Sequence, residues 1–242
     1  MLLKDRGIVL RAVKYGESSL IVTIFTELSG VHAYMVQGVR TEKKRQAKAG
    51  LLQVASLLDL VTEHRPNRHL QRLREFHPAY FYQHLQEDIA RNSIAVFSVE
   101  LLQKLLPQQE SMPELFDFCY LYFSQLDQQK AVANYPLYFI IQCGRMLGYN
   151  ILGSYSPQTP YLNLQEGNFD AQPPAMPTAL QEKDIAALAA FLSVDNIDKI
   201  AAISMNADMR NRLLDWYIRF LQHHTQHLSD LRSPEVLRAI FH

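Results

Sequence analysis

Residues 7–38 read GIVLRAVKYGESSLIVTIFTELSGVHAYMVQG, and the pattern of this stretch decides the fold class. Three runs rich in β-branched residues are separated by the turn-forming residues GES and SG, so they predict three consecutive strands. Two similar runs follow further along the chain. The five predicted strands are 7–15, 19–27, 31–38, 55–64 and 69–78. So many short strands favour a small closed barrel, either an OB-fold or an SH3-like barrel.

The pattern changes after residue 78. Apolar residues then recur at every third or fourth position, as in SIAVFSVELLQKLL, which predicts amphipathic helices. One stretch rich in proline and glycine interrupts them and predicts an irregular insert over residues 150–178. The sequence therefore predicts an α+β chain, with an OB-fold-like barrel domain over residues 1–78 and an all-α domain over residues 79–242.

Charge is unevenly distributed along the chain. The 24 Lys and Arg residues balance the 24 Asp and Glu residues. Residues 1–75, however, carry 13 basic and 7 acidic side chains, a net charge of +6, and the remainder carries a net charge of −6. The stretch QGVRTEKKRQAKAG, residues 37–50, holds five basic residues and one acid. A charged block is often only a solvated loop, but a basic barrel also suits the phosphates of a nucleic acid.

The candidate DNA-binding residues lie in and around this stretch. Those within it are Arg40, Lys43, Lys44, Arg45 and Lys48. Those expected to support them, because the segments of a small barrel come close together, are Arg11, Lys14, Arg68, Arg72 and Arg74. The aromatic residues of this part are Tyr15, Tyr34 and Phe76. Tyr15, beside Gly16, is the best candidate for stacking on bases, whereas Phe76 is expected in the core.

No set of catalytic residues is recognisable in the sequence. His223 and His227 would share one face of a helix, but no HExxH motif and no third ligand accompanies them. Cys143 has no neighbouring base, and no glycine-rich phosphate-binding loop occurs. The sequence favours a binding protein without metal or cofactor. Two alternatives stay open, a metal-dependent nuclease and an adaptor that binds only protein through its basic loop.

Composition suggests the cellular location. Cys119 and Cys143 are the only cysteines, too few for a disulfide framework, and are expected to be reduced and buried. No apolar run reaches the ~18 residues that span a bilayer. The first residues lack the apolar core of a signal peptide. A cytoplasmic protein is therefore expected.

Several of these segments together resemble the RecO family of bacterial DNA repair and recombination mediators. The matching features are YGES at 15–18, GVR at 38–40, LREFHP at 73–78, LGY at 147–149 and the closing segment from residue 213. The resemblance extends over nearly the whole chain. Many RecO proteins carry a four-cysteine zinc module after the LGY step, whereas residues 150–178 contain neither cysteine nor histidine, so no structural zinc is expected.

The resemblance implies a fold and a set of activities. It implies an OB-fold followed by a helical domain, and a protein that binds single- and double-stranded DNA and anneals complementary strands. It also implies partnership with RecR, in some members with the acidic tail of single-strand binding protein, and through these an indirect action on RecA. Such a protein is expected at the bacterial nucleoid. An apolar groove in the helical part, with Arg145 beside it, is a candidate site for the acidic tail.

Overall fold

The computed structural model describes residues 2–37, 49–63, 68–175, 180–194, 196–225, 228 and 230–241. They form two compact units, Met1–Gln128 and Gln129–His242. The elements described in the first unit are β1 (Leu2–Tyr15), β2 (Ser19–Thr26), β3 (Gly30–Val36), β4 (Leu57–Glu63), β5 (Leu70–Pro78), α1 (Ile89–Leu105) and α2 (Pro113–Gln128). This unit joins the barrel to two helices, and the division at residues 78 and 79 stays a prediction about the domains.

The five strands close into a barrel in the order β1-β2-β3-β5-β4. Neighbouring strands are antiparallel, except β3 and β5, which are parallel. A five-stranded barrel in which β5 lies between β3 and β4 has the Greek-key arrangement of the OB-fold. The predicted fold class, an OB-fold-like barrel followed by helices, is therefore confirmed.

Strand β1 is longer than the sequence predicted, because it begins at Leu2 rather than at residue 7. Its first half pairs with β4 and its second half with β2, and the register shifts between Val9 and Arg11. The charged run from Lys4 to Arg6 concealed this start. A strand tolerates such side chains when alternate residues point away from the core.

The barrel interior is apolar and is built from alternate residues of all five strands. Its core includes Val9, Val22, Ile24, Tyr34, Val36, Leu58, Leu60, Leu73 and Phe76. Phe76 is 8% exposed, as expected of a core residue. Tyr34 is 2% exposed, so this ring is not available for stacking on a ligand.

Helix α2 packs against one side of the barrel. Phe116 meets Phe25 of β2 edge to face, with ring centroids 5.5 Å apart. The Arg6 guanidinium lies 5.2 Å from the ring centroids of Phe116 and Tyr120, and its Nε donates to a Glu27 carboxylate oxygen at 2.8 Å. These contacts cover the outer surface of β2 near Phe25.

Asp127, near the end of α2, organises the segment that links the barrel to α1. Its carboxylate accepts hydrogen bonds from the backbone amides of Gln83, His84 and Leu85, the shortest at 2.7 Å. The Tyr80 hydroxyl lies 3.2 Å from the same carboxylate. Asp127 is fully buried, so these donors replace the water that the carboxylate loses on folding. The carboxylate therefore fixes the course of residues 80–85.

The second unit is mainly helical. Its described elements are α3 (Tyr135–Met146), β6 (Tyr161–Asn163), β7 (Asn168–Asp170), α4 (Glu182–Leu192), a 3₁₀ helix (Ile197–Ala202), α5 (Ala207–His224) and α6 (Ser233–Ile240). The buried carboxylate of Asp184 on α4 receives two hydrogen bonds from Arg212 on α5, at 2.8 and 2.9 Å. This ion pair joins the two helices. Within the described ranges, no helix is long and apolar enough to cross a membrane.

The sequence predicted an irregular insert over residues 150–178, but the structure contains a short hairpin within it. Strands β6 and β7 form an antiparallel hairpin, and Leu162 and Phe169 on these strands are buried. The Asn163 side-chain oxygen accepts from the backbone amide of Gln165, and Gly167 has φ +65°. Such an Asx turn ending in a left-handed glycine reverses the chain. The sequence NLQEGN carries this turn signal.

Candidate nucleic-acid interface

The pairing register brings basic residues from distant segments to one outer face of the barrel. Side chains paired across neighbouring strands point to the same side of a sheet. Two adjacent rows cross β1, β2, β3 and β5, one formed by Arg11, Thr23, Ala33 and Leu70 and the other by Val13, Ile21, Met35 and Arg72. These eight residues are called the outer strip. The alternate residues Val22 and Tyr34 are in the core, so the strip faces away from it.

Arg11 and Arg72 lie at opposite ends of the outer strip, and both are exposed. They are separated by three steps between strands, each of about 4.8 Å. The Arg72 guanidinium reaches the Gln37 side chain, with a nitrogen-to-oxygen distance of 3.4 Å. Because Gln37 immediately precedes residues 38–48, Arg72 lies beside the point where the basic stretch begins. The two arginines share one face, which the sequence alone left open.

The other predicted cations differ in their position relative to the outer strip and in whether an acid pairs with them. Arg68 is exposed and lies two residues before Leu70 of the outer strip. Lys14 is exposed at the end of β1, but its cross-strand partner is the core residue Leu20, so it lies outside the strip. Arg74 donates from Nε to a Glu63 carboxylate oxygen at 2.8 Å, which offsets its charge.

Arg40, Lys43, Lys44, Arg45 and Lys48 lie outside the described residues. Their role in DNA binding stays a prediction based on charge and position. Described acidic side chains also lie near the strip. Glu17 is in the β1–β2 turn, Glu63 is opposite Arg72 on β4, and the exposed Glu75 follows Arg72 by three residues on β5. The basic face therefore has acidic neighbours.

Tyr15 is the exposed aromatic residue among the three considered from sequence. Its side chain is 55% exposed, and it lies two residues after Val13, on the same side of β1. Val13 is 42% exposed and Leu70 is 37% exposed. The charge-based reading of the sequence missed this apolar part of the face. The signal was present in the strand alternation, since Val13, Ile21 and Met35 alternate with core residues.

Arg145 is exposed near the end of α3, and its Nη1 donates to the Leu192 carbonyl oxygen at 3.1 Å. It lines a cavity of about 370 Å³ together with residues of the insert and of α4, among them Tyr155, Phe169 and Leu192. The cavity combines aromatic and aliphatic side chains with polar ones, among them Asn150 and Ser193, and with one cation. Its role as a partner site stays a prediction.

The described residues among those considered for catalysis do not come together in a site. His223 is exposed on α5, and His227 lies outside the described residues. His224 instead contacts the insert, with Nε2 3.0 Å from the Leu164 carbonyl oxygen. Cys119 and Cys143 are free thiols and buried, as expected. Within the described part of the chain, no group of three or more His, Cys, Asp or Glu side chains could hold a metal ion.

The strand order of the barrel and the helices that follow it define a protein of the OB-fold class. Models of the recombination protein O N-terminal and C-terminal domains match residues 1–82 and 86–234. The chain therefore belongs to the RecO family of DNA repair proteins, which confirms the resemblance noted from its motifs.

Similar proteins align over the entire chain. Proteins named DNA repair protein RecO from Christiangramia forsetii, Flavobacterium johnsoniae and Bacteroides fragilis are 29%, 26% and 29% identical to it. In each case the alignment covers 100% of both chains. The similarity is therefore not confined to the barrel.

Proposed function

We propose that the protein is a DNA-binding mediator of recombinational repair that acts by binding rather than by catalysis. It binds single- and double-stranded DNA through phosphate contacts. It then anneals complementary strands, because a basic surface screens the repulsion between two polyanions held close together. With RecR it helps to load RecA onto DNA coated by single-strand binding protein.

The observation that supports this proposal best is the presence of Arg11 and Arg72 on one exposed barrel face. Arg68 is close to that face in sequence, and the basic stretch begins immediately after Gln37. The family membership supports a role in DNA repair. The partners RecR, RecA and single-strand binding protein follow from the resemblance to RecO proteins, and the described residues support them only through the cavity beside Arg145.

We expect the double variant Arg11→Ala, Arg72→Ala to bind DNA about tenfold more weakly, for single strands and duplexes alike, with little sequence preference. The reason is the loss of two phosphate contacts. The slope of log affinity against log salt concentration should become shallower by roughly one unit for each arginine removed. Gel-shift titrations at about 50 and 200 mM salt measure both quantities.

Arg74→Ala provides the control for this experiment. Its charge is already offset by Glu63, so its effect on affinity should be much smaller. Equal losses in the double variant and in Arg74→Ala would contradict the assignment of the outer strip. Absence of DNA binding by the unaltered protein at low salt would contradict the whole proposal and favour the protein-only adaptor.

We also propose that the cavity beside Arg145 receives the acidic C-terminal tail of single-strand binding protein. A cavity that combines apolar side chains, polar side chains and a cation suits a peptide with both apolar and carboxylate groups. Arg145→Ala should weaken the binding of such a peptide about fivefold, because a charged hydrogen bond is lost. Calorimetric titration measures the affinity, with Arg219→Ala, another exposed arginine of the same unit, as the control. No heat with the unaltered protein would contradict the proposal.

A further inference from the structure

The apolar part of the outer strip has no role in the phosphate contacts proposed above. Val13, Ile21 and Met35 occupy neighbouring positions on three adjacent strands, with about 4.8 Å between strands. Ile21 and Met35 are half-buried, and Val13 is 42% exposed. Single exposed apolar residues are ordinary on protein surfaces, but a continuous row is a feature of binding surfaces.

Tyr15 extends this row at the end of β1. Its ring is 55% exposed and follows Val13 on the same side of the strand. Residues i and i+2 of a strand share one face. The adjacent residue Gly16 has φ +59°, and apart from its two chain neighbours no residue comes within 4 Å of the position that a Cβ there would occupy. The β1–β2 turn next to Tyr15 is therefore uncrowded at Gly16.

The charges around this apolar row indicate what it binds. Arg11 lies at one end of the outer strip and Arg72 at the other, so a ligand on the row lies between two cations. A ligand that presents both flat apolar surfaces and regularly spaced negative charges satisfies both parts. Single-stranded DNA has this combination. Duplex DNA presents phosphates, but its base faces are stacked on one another.

We propose that the outer strip, together with Tyr15, holds unpaired bases and so distinguishes single-stranded from duplex DNA. The inference rests on the proposed DNA binding and adds a base-contacting surface to it. Tyr15 stacks on a base, Val13 and the neighbouring apolar side chains support the next one, and Arg11 and Arg72 hold the phosphates. Stacking accepts every base because each has an aromatic face, so the preference is for unpaired strands and not for a sequence.

The first test needs no variant. Unaltered protein is titrated with a single strand of about 30 nucleotides, longer than the ~4–16 nucleotides that one OB-fold covers, and with the same strand made abasic. The abasic strand keeps every phosphate and lacks every base. We expect it to bind about tenfold more weakly. Equal affinity for the two strands would overturn the proposal while leaving phosphate binding intact.

The second test assigns the base contact to Tyr15. Tyr15→Ala should bind the ordinary single strand about tenfold more weakly than the unaltered protein does. Its affinity for the matched duplex should stay within about twofold of that of the unaltered protein. Its affinity for the abasic strand should also be close to that of the unaltered protein, because that strand has no base for Tyr15 to contact. Tyr15→Phe keeps the ring and should bind as the unaltered protein does. Phe81→Ala removes another aromatic side chain, 75% exposed in the same unit, and should change nothing.

Two results would contradict the role of Tyr15. One is an equal loss of affinity for single strand and duplex in Tyr15→Ala, and the other is no loss at all. If Tyr15→Ala does not fold, Val13→Ser reports on the same surface, with the same expected difference between single strand and duplex. If the unaltered protein binds neither DNA at about 50 mM salt, the proposed function itself fails, which is distinguishable from every other outcome.

Discussion

The triple variant Lys43→Ala, Lys44→Ala, Arg45→Ala is expected to bind DNA about 100-fold more weakly than the unaltered protein at low salt. The three residues hold more than half of the five positive charges between residues 37 and 50. Each phosphate contact that is lost also removes the entropy of a released counterion. The loss should therefore affect all sequences, both strand forms, and the slope of affinity against salt.

A matched control comes from the second unit. Lys130, Lys183 and Arg219 are exposed there, and changing all three to alanine alters the net charge by the same amount. Gel-shift titrations at about 50 and 200 mM salt compare the two triple variants. Similar losses in both variants would show that only overall charge matters. An unchanged affinity in the first variant would remove the basic stretch from the interface.

The second large effect concerns stability. Asp127→Ala should lower the free energy of unfolding by about 3–5 kcal/mol, because three backbone amides, one of them fully buried, lose the buried carboxylate that accepts from them. The amides are those of Gln83, His84 and Leu85, at 2.7 to 3.0 Å from the carboxylate. Denaturant unfolding followed by circular dichroism measures this change.

Asp117→Ala is the control, since Asp117 lies on the same helix but its carboxylate contacts a charged side chain, Arg6, at the surface. Its side chain is 61% exposed, and its partner Arg6 also contacts Glu27. An exposed pair of this kind contributes about 0–1 kcal/mol, so this variant should unfold almost as the unaltered protein does. If both variants lose the same stability, the carboxylate of Asp127 does not organise residues 80–85.

The effect of Asp127 should depend on pH. Burial raises the pKa of the Asp127 carboxyl, but hydrogen bonds from the amides of Gln83, His84 and Leu85 outweigh it, so the pKa lies below the ordinary value. A carboxyl whose pKa is lowered by folding stabilises the protein above its unfolded-state pKa of about 3.9. The difference between the unaltered protein and Asp127→Ala should therefore be full at neutral pH and shrink as the pH falls through the folded pKa.

Much of the fold could be predicted because its signals are local. The five strands are runs of β-branched residues between turns, and the helices have their own period, so each can be recognised within a short window. The start of β1 and the hairpin of the insert were missed. Residues 2–6 form a strand because β4, more than fifty residues further along the chain, pairs with them. The hairpin depends on a short turn within a proline-rich context.

The candidate interface could be predicted only in part. Charge counting selected Arg11, Arg68, Arg72 and Arg74 alike, but it could not tell that Arg74 has a partner in Glu63. The sequence favoured Tyr15 for its neighbour Gly16, but it did not show that Tyr34 is in the barrel core. Both distinctions depend on which residues lie opposite each other across strands, and a one-residue change of register would reverse them.

The amino-acid sequence by itself determined the barrel class, the helical remainder, the separation of basic from acidic parts and the family. These properties follow from composition, periodicity and short motifs, which are carried by neighbouring residues. Only the tertiary structure decided that Arg11 and Arg72, sixty-one positions apart, share one face with Tyr15, and that Asp127 holds residues 80–85. The physical reason is that barrel closure and the parallel pairing of β3 with β5 are long-range contacts, so the side chains that meet across them are set by the register of the whole barrel.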